Sequence, residues 1–387
     1  MEWVRLGDIT EILDNRRVPL NNEERSKISN LKLYPYCGAN GIIDYIDEFI
    51  FDEDEEIICV AEDGGAWGYL QKCSYIMKEK CWVNNHAHVL KAKSNFNSKF
   101  LNYYLNFKDL SNHITGTTRG KLTQKEVKNI LIPNFKLEKQ NIIVNFLSRI
   151  ETLIRNRKEQ IQTYDDLVES LFFDMLQSEL TSDKIEYTKL GDLTSHISSG
   201  STPRGGSSVY KSEGIPLIRS QDVKMNNLDY SNVVYIDTET HDKMKRSKLK
   251  NRDVLLNITG ASIGRTAVFY GEDDSANTNQ HVAAIRLKDE KVSPEFLSFY
   301  FSTEYFQAII KNISSGGTRE ALNYKQIREF DIPLILKIKQ EKFIKNKEKI
   351  EEEKKKLNSS LKELENLFDA LMQDAFSGNL FKDWEGR

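Results

Sequence analysis

The chain has 387 residues, with 55 Lys+Arg against 58 Asp+Glu and a formal net charge of -3. That length suits two or three domains, and 39% hydrophobic with 10% aromatic residues is enough to build real cores. The balanced charge excludes a strongly basic, indiscriminate nucleic-acid binder, so any DNA contact has to use local patches.

The first residues, MEWVRLGDIT, hold no apolar core for a signal peptide. No apolar run approaches the ~18 residues of a membrane span, so the chain reads as cytoplasmic, with no membrane partner. Cys37, Cys59, Cys73 and Cys81 all fall in the first quarter without a CxxC pair, which indicates neither a disulfide framework nor a zinc knuckle. A strand-like run at 56–60 leads into the Gly-rich turn E-D-G-G-A-W-G. His86 and His88 sit two apart on a strand-like segment and face the same side. They are half of a metal site or hydrogen-bonded core histidines; the second is preferred, and no metal is expected. Glu62-Asp63, like Asp273-Asp274 later, reads as a turn-forming acid pair. A short helical pattern at 99–107 follows, and Ile132-Pro133 closes the region, since Pro cannot continue a helix and restricts the residue before it. A long helix begins after it.

The plan then repeats. Leu6-Gly7-Asp8 recurs as Leu190-Gly191-Asp192, an offset of 190 − 6 = 184. Arg119 matches Arg319, Leu122 matches Leu322, Ile132-Pro133 matches Ile332-Pro333, and Lys139-Gln140 matches Lys339-Gln340, all at an offset of 200. Five ordered anchors indicate an internal duplication. The second half also carries a strand-like run at 253–257, a turn T-G-A-S-I-G and a helical pattern at 294–313.

Both halves end in a 4–3 apolar seam. In the first it runs Ile143, Leu147, Ile150, Ile154, Arg157, Ile161, Tyr164, Val168, Leu171, Met175. Adding 200 gives Phe343, Lys347, Ile350, Lys354, Leu357, Leu361, Leu364, Phe368, Leu371, Ala375. The shared register predicts that the two helices pack on each other, antiparallel, because a whole domain separates them. Two amphipathic helices buried separately is the other reading. The mixed-sign run K-N-K-E-K-I-E-E-E-K-K-K reads as a solvated coiled-coil face rather than a DNA stripe.

These residues resemble the specificity subunit of type I restriction-modification systems. The resemblance is carried by L-G-D at the start of each half, Y-P-Y-C-G-A-N-G-I-I-D (34–44) and V-N-N-H-A-H-V-L (83–90). In the second half it is carried by G-S-T-P-R-G-G (200–206), G-I-P-L-I-R-S-Q-D-V (214–223), D-V-L-L-N-I-T-G-A-S-I-G-R (253–265) and T-N-Q-H-V-A-A-I (278–285), with the helix ends at 167–180 and 367–380. It covers essentially the whole chain. The first helix departs at Gln177-Ser178-Glu179-Leu180, where the second has Ser377-Gly378-Asn379-Leu380.

The resemblance implies an α+β chain with a pseudo-twofold internal repeat: two target-recognition α/β domains at opposite ends of an antiparallel two-helix coiled coil. The expected boundaries are 1–135 and 181–335 for the domains, and 136–180 and 336–387 for the helices with the C-terminal tail. Each domain is expected to read one half of a split, asymmetric site in double-stranded DNA. The helices set the spacer and dock two methyltransferase subunits, which restriction/translocase subunits join. The alternative is a coiled-coil scaffold or adaptor that binds only proteins.

The chemistry absent from the sequence agrees with a subunit that is not an enzyme by itself. Gly120-Lys121 lacks the upstream glycine of a phosphate-binding loop. An Asn-Pro-Pro-aromatic loop, a G-x-G-x-G turn and a Pro-Asp nuclease signature are likewise missing. No cofactor is therefore expected on this chain; S-adenosylmethionine, ATP and Mg belong to the partner subunits.

A feature shared by two domains that read different bases suits phosphate contact or structure. Thr118, Arg119 and Lys121, with Thr318 and Arg319, are such features, either binding phosphate or bracing the turn. Base readers are expected in the divergent loops: Arg16, Arg17, Asn40 and Trp67 in the first half, and Arg204, Arg219, Gln221 and Arg265 in the second. The glycine pairs Gly64-Gly65 and Gly205-Gly206 read as turns.

Overall fold

The computed structural model describes residues 2–116, 119–180, 185–203, 205–314 and 321–381. They form two compact units, one of residues 1–160 with 357–387 and one of residues 161–356. Each unit combines a mixed region with part of both long helices.

The repeated L-G-D and Ile-Pro anchors are two sides of one clasp. In the first unit, strand Trp3–Arg5 pairs antiparallel with Leu131–Pro133, placing Val4 opposite Ile132. The Leu6 N–H donates to Ile130 O at 2.8 Å, and Thr10 Oγ1 donates back to Leu6 O at 2.7 Å. In the second unit, Tyr187–Lys189 pairs with Asp331–Pro333, Leu190 N–H donates to Phe330 O at 2.9 Å, and Thr194 Oγ1 donates to Leu190 O at 3.0 Å. The glycine is needed for close approach. A Cβ on Gly7 would lie 2.9 Å from Lys128 Cβ, and one on Gly191 would lie 3.1 Å from Arg328 Cβ.

Inside the clasp both units build the same two sheets. In the first unit, the four-stranded sheet runs in the order Thr10–Ile12, Ala87–Ala92, Ile57–Ala61, Ser74–Met77. In the second, it runs Thr194–Ser199, Val282–Leu287, Val254–Asn257, Thr266–Val268. A three-stranded sheet accompanies each, centred on Tyr34–Gly38 or Ile215–Ile218, with a parallel partner at Trp82–Val83 or Asn277–Thr278. The central strands are buried on both faces, so they read as unbroken apolar runs. Period-2 alternation sends Ile58 and Val60 to one core and Ile57 and Cys59 to another. Val254 and Leu256 part from Leu255 in the same way.

The long helices Leu137–Leu180 and Lys337–Ser377 start from buried glutamines. Gln140 Oε1 accepts from Asn97 N–H at 2.8 Å, and its Nε2 donates to Asn95 O and Phe135 O. Gln340 does the same with Ser293 N–H, Lys291 O and Ile335 O. Both side chains are 0% exposed, which is the physical content of the repeated Lys-Gln.

Within each unit the helix segments run antiparallel. In the first, Ile143 and Leu147 share a core with Met372, Ala375 and Phe376, while Lys158 pairs with Glu365 at 2.8 Å. In the second, Phe172 lies 5.2 Å from Phe343, centroid to centroid, while Lys354 pairs with Asp165. None of the seam positions is exposed, Arg157 and Met175 included. Burial is uneven: Ile143, Leu147, Val168, Phe343 and Ile350 are buried, whereas Ile150, Ile154, Ile161, Leu171, Leu357, Leu361, Leu364, Phe368 and Leu371 are half-buried. The pattern missed Phe172, Met372 and Phe376, one position beyond the seam and buried. There the short helices Ser98–Phe107 and Pro294–Ser302 add a third surface and widen the stripe. Burial pushes the pKa of Lys347, a polar seam residue, below the usual lysine value. No described helix is long and apolar enough to cross a membrane.

Candidate nucleic-acid interface

Three loops meet at the same place in both units. The central strand ends in a turn at Glu62-Asp63-Gly64 or Ile258-Thr259-Gly260, and Gly64 (φ 66°) and Gly260 (φ 76°) supply its left-handed residue. The Glu62 N–H donates to His86 O at 2.9 Å, and Ile258 N–H donates to His281 O at 3.0 Å. From the other side, Leu122 N–H donates to Glu62 O at 2.8 Å, and Leu322 N–H donates to Ile258 O at 2.9 Å. An asparagine fixes the middle loop. Asn84 N–H donates to Cys37 O, and its Oδ1 accepts from His86 N–H at 2.8 Å. Asn279 N–H donates to Ile218 O, and its Oδ1 accepts from His281 N–H at 3.0 Å. The backbone frame is therefore shared, and what it carries is not.

In the first unit the frame carries charge. Buried His88 places Nδ1 2.6 Å from Asp14 Oδ2 and Nε2 2.7 Å from Leu122 O. Both ring nitrogens of His88 thus face an oxygen acceptor. Arg17 reaches Glu62 at 2.7 Å and Lys121 reaches it at 2.8 Å, while Arg119 and His86 each lie 2.9 Å from Asp63. Burial works to raise the Asp14 pKa. It is outweighed by the His88 contact and the Val89 N–H, so the carboxyl lies below its ordinary value. Glu62 is also lowered, with burial opposed and overcome by Lys121 and Arg17.

In the second unit the frame carries hydroxyl, amide and imidazole groups and, among the described residues, no carboxylate. His281 Nδ1 lies 2.5 Å from Thr259 Oγ1, and His281 Nε2 lies 2.9 Å from Gln280 Nε2. The Thr202 hydroxyl donates to Gln280 Oε1. Ser199 N–H donates to Tyr324 OH at 2.8 Å.

The expected base readers separate into two groups. Arg16 is spent inside the fold: it grips Glu55 with two N–H groups, donates to Ile50 O and covers the Phe51 ring. Arg17 is 14% exposed and donates to Asp14 O, Glu62 and Ala87 O. Arg219 is clamped by Asp222 and Asn232 O. Trp67 donates from Nε1 to Ala61 O and lies over Gly65, where a Cβ would come within 3.0 Å of the ring. The donors or faces of these four are engaged within the protein. Asn40 is exposed and ties Gly64 O at 3.1 Å. Gln221 is exposed and Arg265 half-buried, and neither side chain makes a hydrogen bond or ion pair with a described residue. Arg119 and Lys121 sit in the shared frame, with Arg119 68% exposed. Thr118, Arg204, Thr318 and Arg319 lie outside the described residues.

Sequence reasoning passed over Asn84 and Asn279. Their offset is 279 − 84 = 195, between the 184 and 200 of the other anchors, so a fixed-offset comparison misses them. It also read Glu62 and Asp63 only as turn formers, although they are the anionic centre of the first site.

A duplicated α+β chain that presents one loop frame twice, with different side chains each time, is a paired recognition protein. The family model "Type I restriction modification DNA specificity domain" matches residues 1–163 and 182–365, and the chain belongs to that family. A candidate type I restriction enzyme specificity subunit of Haemophilus influenzae is 26% identical over 353 residues, 86% of this chain and 83% of that protein. The EcoBI specificity subunit of Escherichia coli is 29% identical over 176 residues, 44% of this chain and 37% of that one. The crystal structure of a type I restriction-modification S subunit from M. genitalium shares the fold, with a TM-score of 0.58 and 16% identity over 97% of this chain and 96% of that chain. The chain's role is DNA sequence specificity in a type I restriction-modification system.

Proposed function

We propose that each unit reads one half of a split, asymmetric duplex site, and that the paired helices set the spacer and dock two methyltransferase subunits. Restriction/translocase subunits join that core. The chain performs no catalysis itself: S-adenosylmethionine, ATP and Mg act on the partners, in the cytoplasm. The observation that carries this reading is the recurrence of one backbone frame in both units with divergent side chains. Shared structure with private surfaces is what two readers of different bases require. Arg119 and Lys121, with Thr118, Thr318 and Arg319, are assigned to phosphate. Asn40, Gln221, Arg204 and Arg265 stay as base-reading positions.

Methylation mapping of cells with and without the gene tests the reading, because loss of the gene should erase one bipartite methylated motif. Exchanging residues 10–130 should then change one half-site, and exchanging 195–330 the other. An exchange that altered both half-sites would defeat the division of labour.

A further inference from the structure

The middle residue of the asparagine-pinned loop differs between the units. Asn84-Asn85-His86 in the first stands where Asn279-Gln280-His281 stands in the second. The flanking Asn and His are fixed by equivalent hydrogen bonds in both units. Asn85 and Gln280 are exposed at the apex, beside the turn that follows the central strand. Both are carboxamides, one methylene apart in length.

We infer that Asn85 and Gln280 each read one adenine, one per half-site. The inference rests on the reading of this chain as a DNA-specificity subunit and adds the residues and the base. A carboxamide offers one acceptor and one donor side by side, which matches adenine N6–H and N7 in the major groove. Guanine presents acceptors at both O6 and N7 and leaves the amide oxygen facing an acceptor. In Gln280 one valence of each end is already used: Oε1 accepts from Thr202, and Nε2 lies 2.9 Å from His281 Nε2. The second lone pair of Oε1 and the second hydrogen of Nε2 stay available. His281 is in turn held by Thr259, so the amide plane is fixed before DNA arrives. The Asn85 side chain makes no hydrogen bond with a described residue; the 3.4 Å contact from Arg17 goes to the Asn85 backbone carbonyl. Its shorter amide is thus entirely available. Two arginines near these loops, Arg17 and Arg219, are committed to carboxylates.

The test is selection from a randomised duplex library by the full chain in its native complex. Gln280→Ala should lose the preference for adenine at one position of one half-site. Affinity for the parental site should fall about 10- to 100-fold, as expected for one lost bidentate base contact, with the salt slope unchanged. Asn85→Ala should do the same in the other half-site. Gln280→Glu keeps the shape and turns the donor into an acceptor, so that position should move from adenine to cytosine, whose N4–H group donates. This near-isosteric variant keeps the test open should Gln280→Ala not fold. Unchanged consensus sequences in the alanine and glutamate variants would overturn the inference while leaving the DNA-reading role intact. Loss of preference in both half-sites at once would also overturn it. A parental complex that selects no sequence would instead overturn the underlying reading.

Discussion

The two units solve the same folding problem with different interiors at one spot. Behind the shared turn, the first unit buries Asp14, His88 and Glu62 against Arg17. Ser199, Ile258 and Ala283 occupy the matching places in the second, by strand register: 199 − 14 = 185, one more than the 184 of L-G-D because of a bulge between Thr194 and His196, then 258 − 62 = 196 and 283 − 88 = 195. The backbone hydrogen bonds around the turn are the same in both. An ion network and a small, mostly neutral set therefore support one frame equally well, as expected when buried ion pairs roughly cancel their own desolvation. Charge behind the loop is free to vary, and so is the surface in front of it.

The sharpest break of that comparison is to remove one partner of the network. Asp14 also accepts from Val89 N–H and Gln124. Asp14→Ala should destabilise the first unit by ~3–5 kcal/mol, since it strands buried charge, whereas Ser199→Ala, which loses only a hydroxyl contact with Tyr324, should cost about 1 kcal/mol. Hydrogen exchange of residues 57–61 against 254–257 separates the two. The pH dependence has a definite sign. Folding lowers the pKa of both Asp14 and Glu62, so their contribution is present above the ordinary carboxylate range and is lost as pH falls through it toward the folded values. Protection of 57–61 should drop first on acidification. Equal loss in both strands would mean that the network is not what distinguishes the units.

A second contrast lies along the helices. Phe172 is fully buried among Phe296, Phe299 and Phe343, and Phe172→Ala should cost ~3–5 kcal/mol. Leu361 is half-buried, so Leu361→Ala should cost only ~1–2 kcal/mol, as two or three partly buried carbons are worth. Urea midpoints order the two variants; equal costs would show the middle of the seam to be as tightly packed as its ends.

The comparison holds where both halves kept the same anchor. Gln140→Leu and Gln340→Leu should each cost ~1–3 kcal/mol, because each strands a loop N–H and two carbonyls. Unequal costs would show that the two helix starts are not held alike.

These anchors mark the limit of what the sequence could say. L-G-D, Ile-Pro and Lys-Gln were legible because each does one local job twice, and the seam was legible because a 4–3 period needs no knowledge of the partner. Phe172 and Phe376 were not, since their burial depends on short helices that only the fold brings alongside. The ion pairs of Arg16, Arg17 and Arg219 were not legible, because their carboxylate partners, at 55, 62 and 222, become neighbours of the right geometry only in three dimensions. The acids at 62 and 63 were recognised as a turn but not as the centre of a charge network for the same reason.

The smallest expected effect tests the surface in front of the frame. Arg119 is exposed and in hydrogen-bond contact with Asp63, which His86 also touches. That contact engages one of the five N–H donors of the guanidinium, so a phosphate bound to the others would share the cation with the Asp63 carboxylate, which repels it. Arg119→Ala should weaken binding of the parental site and lower the salt slope by no more than about one unit, the value for one lost phosphate contact. Asp63→Asn should act in the opposite direction, since the amide no longer holds the guanidinium by charge, and binding should strengthen at low salt. Neither change should alter the preferred bases, because the partner is backbone and carries no sequence information. The corresponding place in the second unit holds Thr259, which carries no charge, and Thr259→Ala should leave the salt slope where it was. Titrations across a range of salt concentrations decide the matter. An Asp63→Asn variant that binds more weakly than the parent would show that the carboxylate positions Arg119 for phosphate rather than withholding it.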